Sequence, residues 1–92
     1  MNSEYPFYVY ILSSNSHELL IGFTDNLKLR IAEHRASTTR ASRVFQLVHM
    51  EGFHDPLEAL HRQAQLKAWP RARKHAFIDR FNPTWRDLAQ DL

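Results

Sequence analysis

The sequence has no cysteine in its 92 residues. Disulfides and thiolate metal sites are therefore excluded. Glycine is scarce as well, with two residues, and neither an internal repeat nor a domain linker stands out. No apolar run approaches the roughly 18–20 residues that a membrane-spanning helix needs, so no contact with a membrane is expected. The stretch from Met1 to Pro6 carries Glu4 and neither lysine nor arginine. It predicts no secretory signal, and a cytoplasmic location is the expectation. The hydrophobic fraction of 43% and the charged fraction of 24% are ordinary for a globular domain. At this length one domain over residues 1–92 is expected, burying about 60–65% of the surface of its unfolded chain.

Acidic residues are missing from two tracts. None lies between Glu33 and Glu51, where Arg35, Arg40 and Arg43 occur. None lies between Glu58 and Asp79, where Arg62, Lys67, Arg71, Arg73 and Lys74 occur. The net charge is only +2, but two basic tracts in a small domain suit a polyanion partner. Solvated helix faces are the competing explanation.

What is present reads as alternating strands and helices. Phe7 to Leu12 is β-branched and aromatic, as a strand buried on both faces would be. A polar turn at Ser13 to His17 leads to a second strand, Leu19 to Phe23, so the two form an antiparallel hairpin. Gly22 stands where the chain leaves that strand, which suits either a positive φ or the close approach of another group. Thr24 to Asn26 cap a first helix, about Asn26 to Ala36, that buries Leu27 and Ile31. Arg30 and His34, four apart, share one of its faces.

Ser37 to Ser42 reads as a mobile loop and Arg43 to Phe53 as a third strand. That strand alternates Phe45, Leu47 and His49 against Val44, Val48 and Met50. Asp55-Pro56 with Glu58 is a helix start, and Leu57, Leu60, Ala64 and Ala68 follow at helical spacing. Trp69-Pro70 ends that helix and opens another, about Pro70 to Phe81. Asn82 to Leu88 is a tail with an aromatic anchor, folded back on the core. The order is ββαβαα, an α+β domain in which helices flank a three-stranded antiparallel sheet.

Tyr8-Val9-Tyr10, then Leu20-Ile21-Gly22, then Asp25-Asn26-Leu27 with Arg30 and Glu33-His34, resembles the GIY-YIG nuclease superfamily. Ala59-Leu60, Gln65-Leu66-Lys67, Trp69 and Asn82-Pro83-Thr84-Trp85-Arg86-Asp87-Leu88 resemble its small single-domain bacterial branch. The match covers almost the whole chain. The resemblance implies a metal-dependent DNA endonuclease frame, with no cofactor certain and Mg²⁺ the ion if the site is active. Its catalytic positions fall on Tyr10, Arg30 and His34. The tyrosine of the second motif, the family's base or water-orienting group, falls on Leu20. The metal-binding glutamate falls on Gln63.

Those two departures matter chemically. Leucine moves no proton, and losing a general base costs about 10²–10⁴ in rate. A neutral amide in place of a carboxylate weakens the hold on a hard divalent cation. Asp55 and Glu58 are explained by the helix cap. Tyr10 and His61 are the remaining candidates for a replacement base, and Tyr10 serves equally as a sheet aromatic. Arg30 suits a phosphate, or else pairs with Glu33 or Asn26. The other histidines show no metal-ligand pairing, and Trp69 and Trp85 suit packing.

The expectation is a catalytically impaired family member that binds DNA through Arg35, Arg62, Lys67, Arg71, Arg73 and Lys74 besides Arg30. The alternatives are an active nuclease with a relocated metal ligand, and a module for a protein partner or homo-oligomer on the same frame.

Overall fold

The computed structural model describes residues 5–37 and 45–92. Strands β1 (Phe7–Ser13), β2 (Leu19–Thr24) and β3 (Gln46–Phe53) form one antiparallel sheet in the order β2-β1-β3. The helices are α1 (Leu27–Ser37), α2 (Pro56–Ala68) and α3 (Arg71–Phe81), and a 3₁₀ turn follows at Leu88–Asp91. This is the expected ββαβαα order. The proposed loop beyond Ser37, together with Arg43 and Val44 of the proposed third strand, lies outside the described residues.

β1 is central, so both of its faces are covered, which accounts for its run of apolar residues. Val9 and Ile11 face one way, into a core with Ile21, Val48, Ala59, Leu66 and Ile78. Tyr10 and Leu12 face the other way, into a core with Leu27, Ile31 and Leu47. α2 and α3 thus cover one face of the sheet, and α1 with the terminal 3₁₀ turn covers the other.

β3 departs from strict alternation. Ile11 pairs with His49 but Leu12 with Leu47, so Val48 is an extra residue in a bulge. Leu47 and His49, expected on one face, lie on opposite faces: Leu47 packs with Tyr10 and Leu12, and His49 against Phe77.

The helix starts follow from local chemistry. Asn26 Oδ1 accepts from Leu29 N, and Thr24 Oγ1 accepts from Asn26 N. Asp55 Oδ1 accepts from Leu57 N ahead of Pro56. The apolar stripe expected on α2 faces outward: Leu57 and Leu60 are exposed, whereas Ala59 and Leu66 are buried. The inward side of α2 includes Arg62, because Glu51 on β3 meets its guanidinium.

The tail folds back as expected. Buried Asn82 donates to Val48 O and Arg86 O. Asp87 accepts from Leu47 N and Ala89 N, and it pairs with Arg35 of α1. The tail therefore ties β3 to α1 through one carboxylate.

Candidate functional site

Tyr10 and Gly22 are cross-strand partners. A Cβ on Gly22 would lie 2.3 Å from both Cζ and Oη of Tyr10. Gly22 has no positive φ, so of its two possible roles it fills the second: it leaves room for the Tyr10 ring. The ring lies across β2, and its hydroxyl reaches α1, where it shares a 3.3 Å hydrogen bond with His34 Nε2. Arg30 stands one turn earlier on α1, with Nε 3.7 Å from Glu33 Oε1. The structure thus gathers the three sequence-derived catalytic candidates, Tyr10, Arg30 and His34. It adds Glu33, which the sequence had suggested only as an alternative partner for Arg30.

The electrostatics assign capacities within the group. Burial raises the Tyr10 pKa; nearby Arg30 opposes this and Glu33 reinforces it. Tyr10 is therefore a phenol at neutral pH, able to donate a hydrogen bond and unsuited to abstract a proton. Burial lowers the His34 pKa and Arg30 lowers it further, against an upward pull from Glu33. His34 is a neutral imidazole at neutral pH, the form that can accept a proton. The Arg30–Glu33 pair is exposed and i,i+3, a geometry worth little, so Arg30 can turn to a phosphate at small cost.

Both departing positions adjoin β2, Leu20 as one of its residues and Gln63 from α2. Leu20 pairs with Leu12 and is 39% exposed. Gln63 reaches the strand with its Nε2, which points to Ile21 O at 3.4 Å. A neutral amide turned toward a backbone carbonyl does not fit a divalent cation. Among the described residues, no three His, Cys, Asp or Glu side chains stand close enough to hold one.

The basic residues separate into two kinds. Arg62 is held by Glu51, with Nε–Oε1 2.8 Å and Nη2–Oε2 3.0 Å, and also donates to Gln65. It lies beside the rings of Trp69 and Phe77. Burial pushes the Glu51 carboxyl up, but hydrogen bonds from His49 and Arg62 outweigh this and bring its pKa down to about 2. Arg35 is paired with Asp87. By contrast, Lys67 and Arg71 are exposed and Lys74 is half-buried, and none forms an ion pair among the described residues. Arg73 is exposed and stacks on Trp69, 4.1 Å from the ring centroid. Arg35 and Arg62 each pair with a carboxylate of the fold, whereas Lys67, Arg71, Arg73 and Lys74 form no ion pair among the described residues. The Glu51–Arg62 contact left no signal in the sequence beyond Glu51 closing an acid-free tract.

A family model described as the GIY-YIG catalytic domain matches residues 6–76. A UPF0213 protein of Natronomonas pharaonis is 36% identical over 75 residues, 77% of this chain and 88% of that protein. One from Staphylococcus haemolyticus is 34% identical over 76 residues, 78% of this chain and 93% of the relative. Among solved structures, the solution NMR structure of protein EF2693 from E. faecalis superposes with a TM-score of 0.63. It is 26% identical and the match covers 88% of this chain and 91% of that one. The NMR structure of the UPF0213 protein BH0048 from Bacillus halodurans gives a TM-score of 0.56 at 27% identity, over 79% and 82% of the two chains. The sheet order and these matches agree: the chain belongs to the GIY-YIG family, whose catalytic domain is of nuclease type.

Proposed function

We propose that this chain is a GIY-YIG domain that binds DNA and has lost most of the family's phosphodiester hydrolysis. The carrying observation is that the Tyr10–His34–Arg30 group stays assembled while β2 carries a leucine at position 20 and α2 directs a neutral amide, Gln63, at Ile21 O. Hydrolysis needs an activated water, a neutralised phosphate and help for the leaving oxygen. Arg30 supplies part of the second and His34 can take a proton. Metals serve this family generally, but the side chains here do not fit one, and a lost carboxylate ligand removes its charge stabilisation. DNA binding is supported by the surface cations Lys67, Arg71, Arg73 and Lys74 together with Arg30. Phosphate contacts of this kind give affinity without base readout and fall steeply with salt.

Two assays on the same protein test this reading. Labelled single-stranded, duplex and branched DNA is incubated with Mg²⁺ and then Mn²⁺, with Arg30→Ala as the contamination control. The expected result is no cleavage that depends on Arg30. Cleavage lost in Arg30→Ala would make the chain a working nuclease and overturn the impairment. Binding is followed by fluorescence anisotropy against salt. Lys67→Gln and Arg71→Gln are each expected to reduce the salt slope by about 1, and Arg62→Gln to leave it unchanged, since Glu51 already neutralises that charge. No DNA binding at low salt would remove the DNA reading. In that case the exposed pair Leu57 and Leu60 on α2, 71% and 44% accessible, favours a protein-interaction role. Sedimentation of the wild type against Leu57→Ser would check that role.

A further inference from the structure

A second cluster lies on the opposite face of the sheet from Tyr10. Its cavity of about 180 Å³ is lined by His17, Leu19, Arg71, Lys74 and His75. Leu19 belongs to the core beneath α2 and α3, whereas Tyr10 belongs to the core beneath α1. The two sites are therefore separate. From this cluster we propose a binding pocket for a phosphoryl group, in which Arg71, Lys74, His17 and His75 together hold a phosphate monoester.

Three segments converge to build it. His17 ends the β1–β2 turn, which is closed by His17 N to Ser14 O at 2.9 Å and Ser14 N to Glu18 O at 3.0 Å. Trp85 belongs to the tail and is fixed by its backbone N to Asn82 O and by its indole Nε1 to Asp79 Oδ1. Both residues adopt a positive φ, 65° at His17 and 54° at Trp85, a region that bulky L-residues rarely enter. The result is a stack of the two rings, 4.3 Å apart and 18° from parallel. His75 of α3 sits edge-on to both. Anchoring the tail explains the ring contacts. It does not explain why two cations border them.

The lining chemistry selects the ligand. Arg71 and Lys74 offer donors only, and imidazoles offer ring N–H groups. The two cations stand three apart on one helix, where like charges repel. Neither forms an ion pair among the described residues. Asp79 is taken by the Trp85 indole, and no carboxylate lines the cavity. His75 Nε2 is buried with no hydrogen-bond partner among the described residues, an arrangement that costs stability unless something bonds it. An anion with several acceptor oxygens answers the unbalanced charge of Arg71 and Lys74. The volume falls below the roughly 300 Å³ where pockets for whole drug-sized ligands begin. It therefore suits one phosphoryl group, with the rest of the molecule outside.

Inorganic phosphate is the probe. The full chain is titrated at fixed ionic strength while the ring C–H resonances of His17 and His75 are followed by NMR. Saturable shifts at both rings are expected. Arg71→Gln with Lys74→Gln should weaken the apparent affinity by about tenfold or more, since each removes a charged donor. Arg80→Gln, on the same helix but outside the cavity, should leave it unchanged. Three results would each overturn the pocket: no saturable shift, an undiminished shift in the double variant, or equal weakening by Arg80→Gln. Circular dichroism of each variant guards against misfolding.

A second arm identifies the source of the phosphoryl group, comparing an oligonucleotide carrying a 5′-phosphate with its 5′-hydroxyl counterpart. A preference for the phosphate that the double variant abolishes would support the pocket as a site for strand ends. Equal binding of the two, with the inorganic phosphate shifts intact, would support it as a site for a small soluble phosphate ester. Arg71 and Lys74 also figure in the DNA reading, but the proposal does not rest on it. Inorganic phosphate reports on the pocket whether or not the protein binds DNA.

Discussion

Gly22 is the residue on which the Tyr10 site turns. Its missing side chain is occupied by a tyrosine ring, with no slack, because two Tyr10 atoms lie 2.3 Å from where a Cβ would stand. Gly22→Ala is therefore expected to displace the ring, break its hydrogen bond to His34 and cost about 1–3 kcal/mol, as overpacking does. Urea denaturation reads the stability, and the His34 ring resonances read the lost contact. An alanine variant of unchanged stability would show that the ring has room to move. The sequence allowed this role for Gly22 but could not choose it over a positive φ, because the choice depends on cross-strand register.

The same scale sets the proton affinity of His34. After burial, Arg30 is the next cause of its lowered pKa, and Glu33 acts in the opposite sense. Arg30→Gln should therefore raise the His34 pKa and Glu33→Gln should lower it further. NMR titration of the imidazole in the two variants checks both signs. Shifts in one common direction would mean that burial changes alone control the group. The spacing of Arg30 and His34 was legible, since four residues along a helix bring two side chains onto one face. The reach of Tyr10 across β2 was not, because it follows from the sheet pairing.

At the scale of elements, β3 and α2 are joined through the Glu51–Arg62 pair, with His49 as the second partner of the carboxylate. This contact overrides the apolar pattern of α2. Leu57 and Leu60 look like a buried stripe, yet the helix is turned so that Ala59, Arg62 and Leu66 face inward. Hydrophobic spacing could not reveal that a cation would occupy a sheet-facing position, just as alternation in β3 could not reveal the bulge at Val48. The caps were legible, because Asn26 and Asp55 act on backbone within three residues.

Glu51 has a pKa of about 2 in the fold against an ordinary 4.5. The unfolded chain thus takes up a proton at higher pH than the folded one. The resulting stability is fully present above about pH 4.5, and it is lost as the pH falls from there through about 2. Linkage puts the loss at about 3 kcal/mol. Glu51→Gln is expected to be less stable than wild type at neutral pH, because Arg62 is left unpaired against the core, and to show a flatter acid profile. Urea unfolding at several pH values tests this. A parallel acid slope in both proteins would place the acid sensitivity elsewhere.

Across the whole molecule, one sheet carries two unlike faces. The face under α1 presents the Tyr10, Arg30 and His34 group. The face under α2 and α3 carries the aromatic clusters and, at one end, the basic cavity. The succession of strands and helices along the chain was legible because strands and helices announce themselves through local periodicity and caps, and the tail's docking was legible from its aromatic anchor. The reach of Gln63 from α2 to Ile21 of β2 was not, since the two lie far apart in sequence. That reach places Gln63 one residue along β2 from Leu20 and supports a direct prediction.

If the frame still brings these positions together, Leu20→Tyr with Gln63→Glu should return metal-dependent cleavage. Leu20 is 39% exposed, so a tyrosine ring has space beside Leu12 with its hydroxyl toward solvent. A carboxylate at position 63 is repelled by Ile21 O, where the amide now donates, and so turns outward from the strand. The double variant is expected to cleave DNA with Mg²⁺ or Mn²⁺ at least about 10² faster than wild type, the lower range for regaining a general base. Each single substitution should fall well short of it, because the base and the metal ligand serve one reaction. Adding Arg30→Ala should abolish the gain, tying it to the Tyr10–His34 group and excluding a contaminating nuclease. A folded double variant with no cleavage would mean that Leu20 and Gln63 alone do not account for the proposed loss of hydrolysis, and its cause would have to be sought around Arg30 and His34.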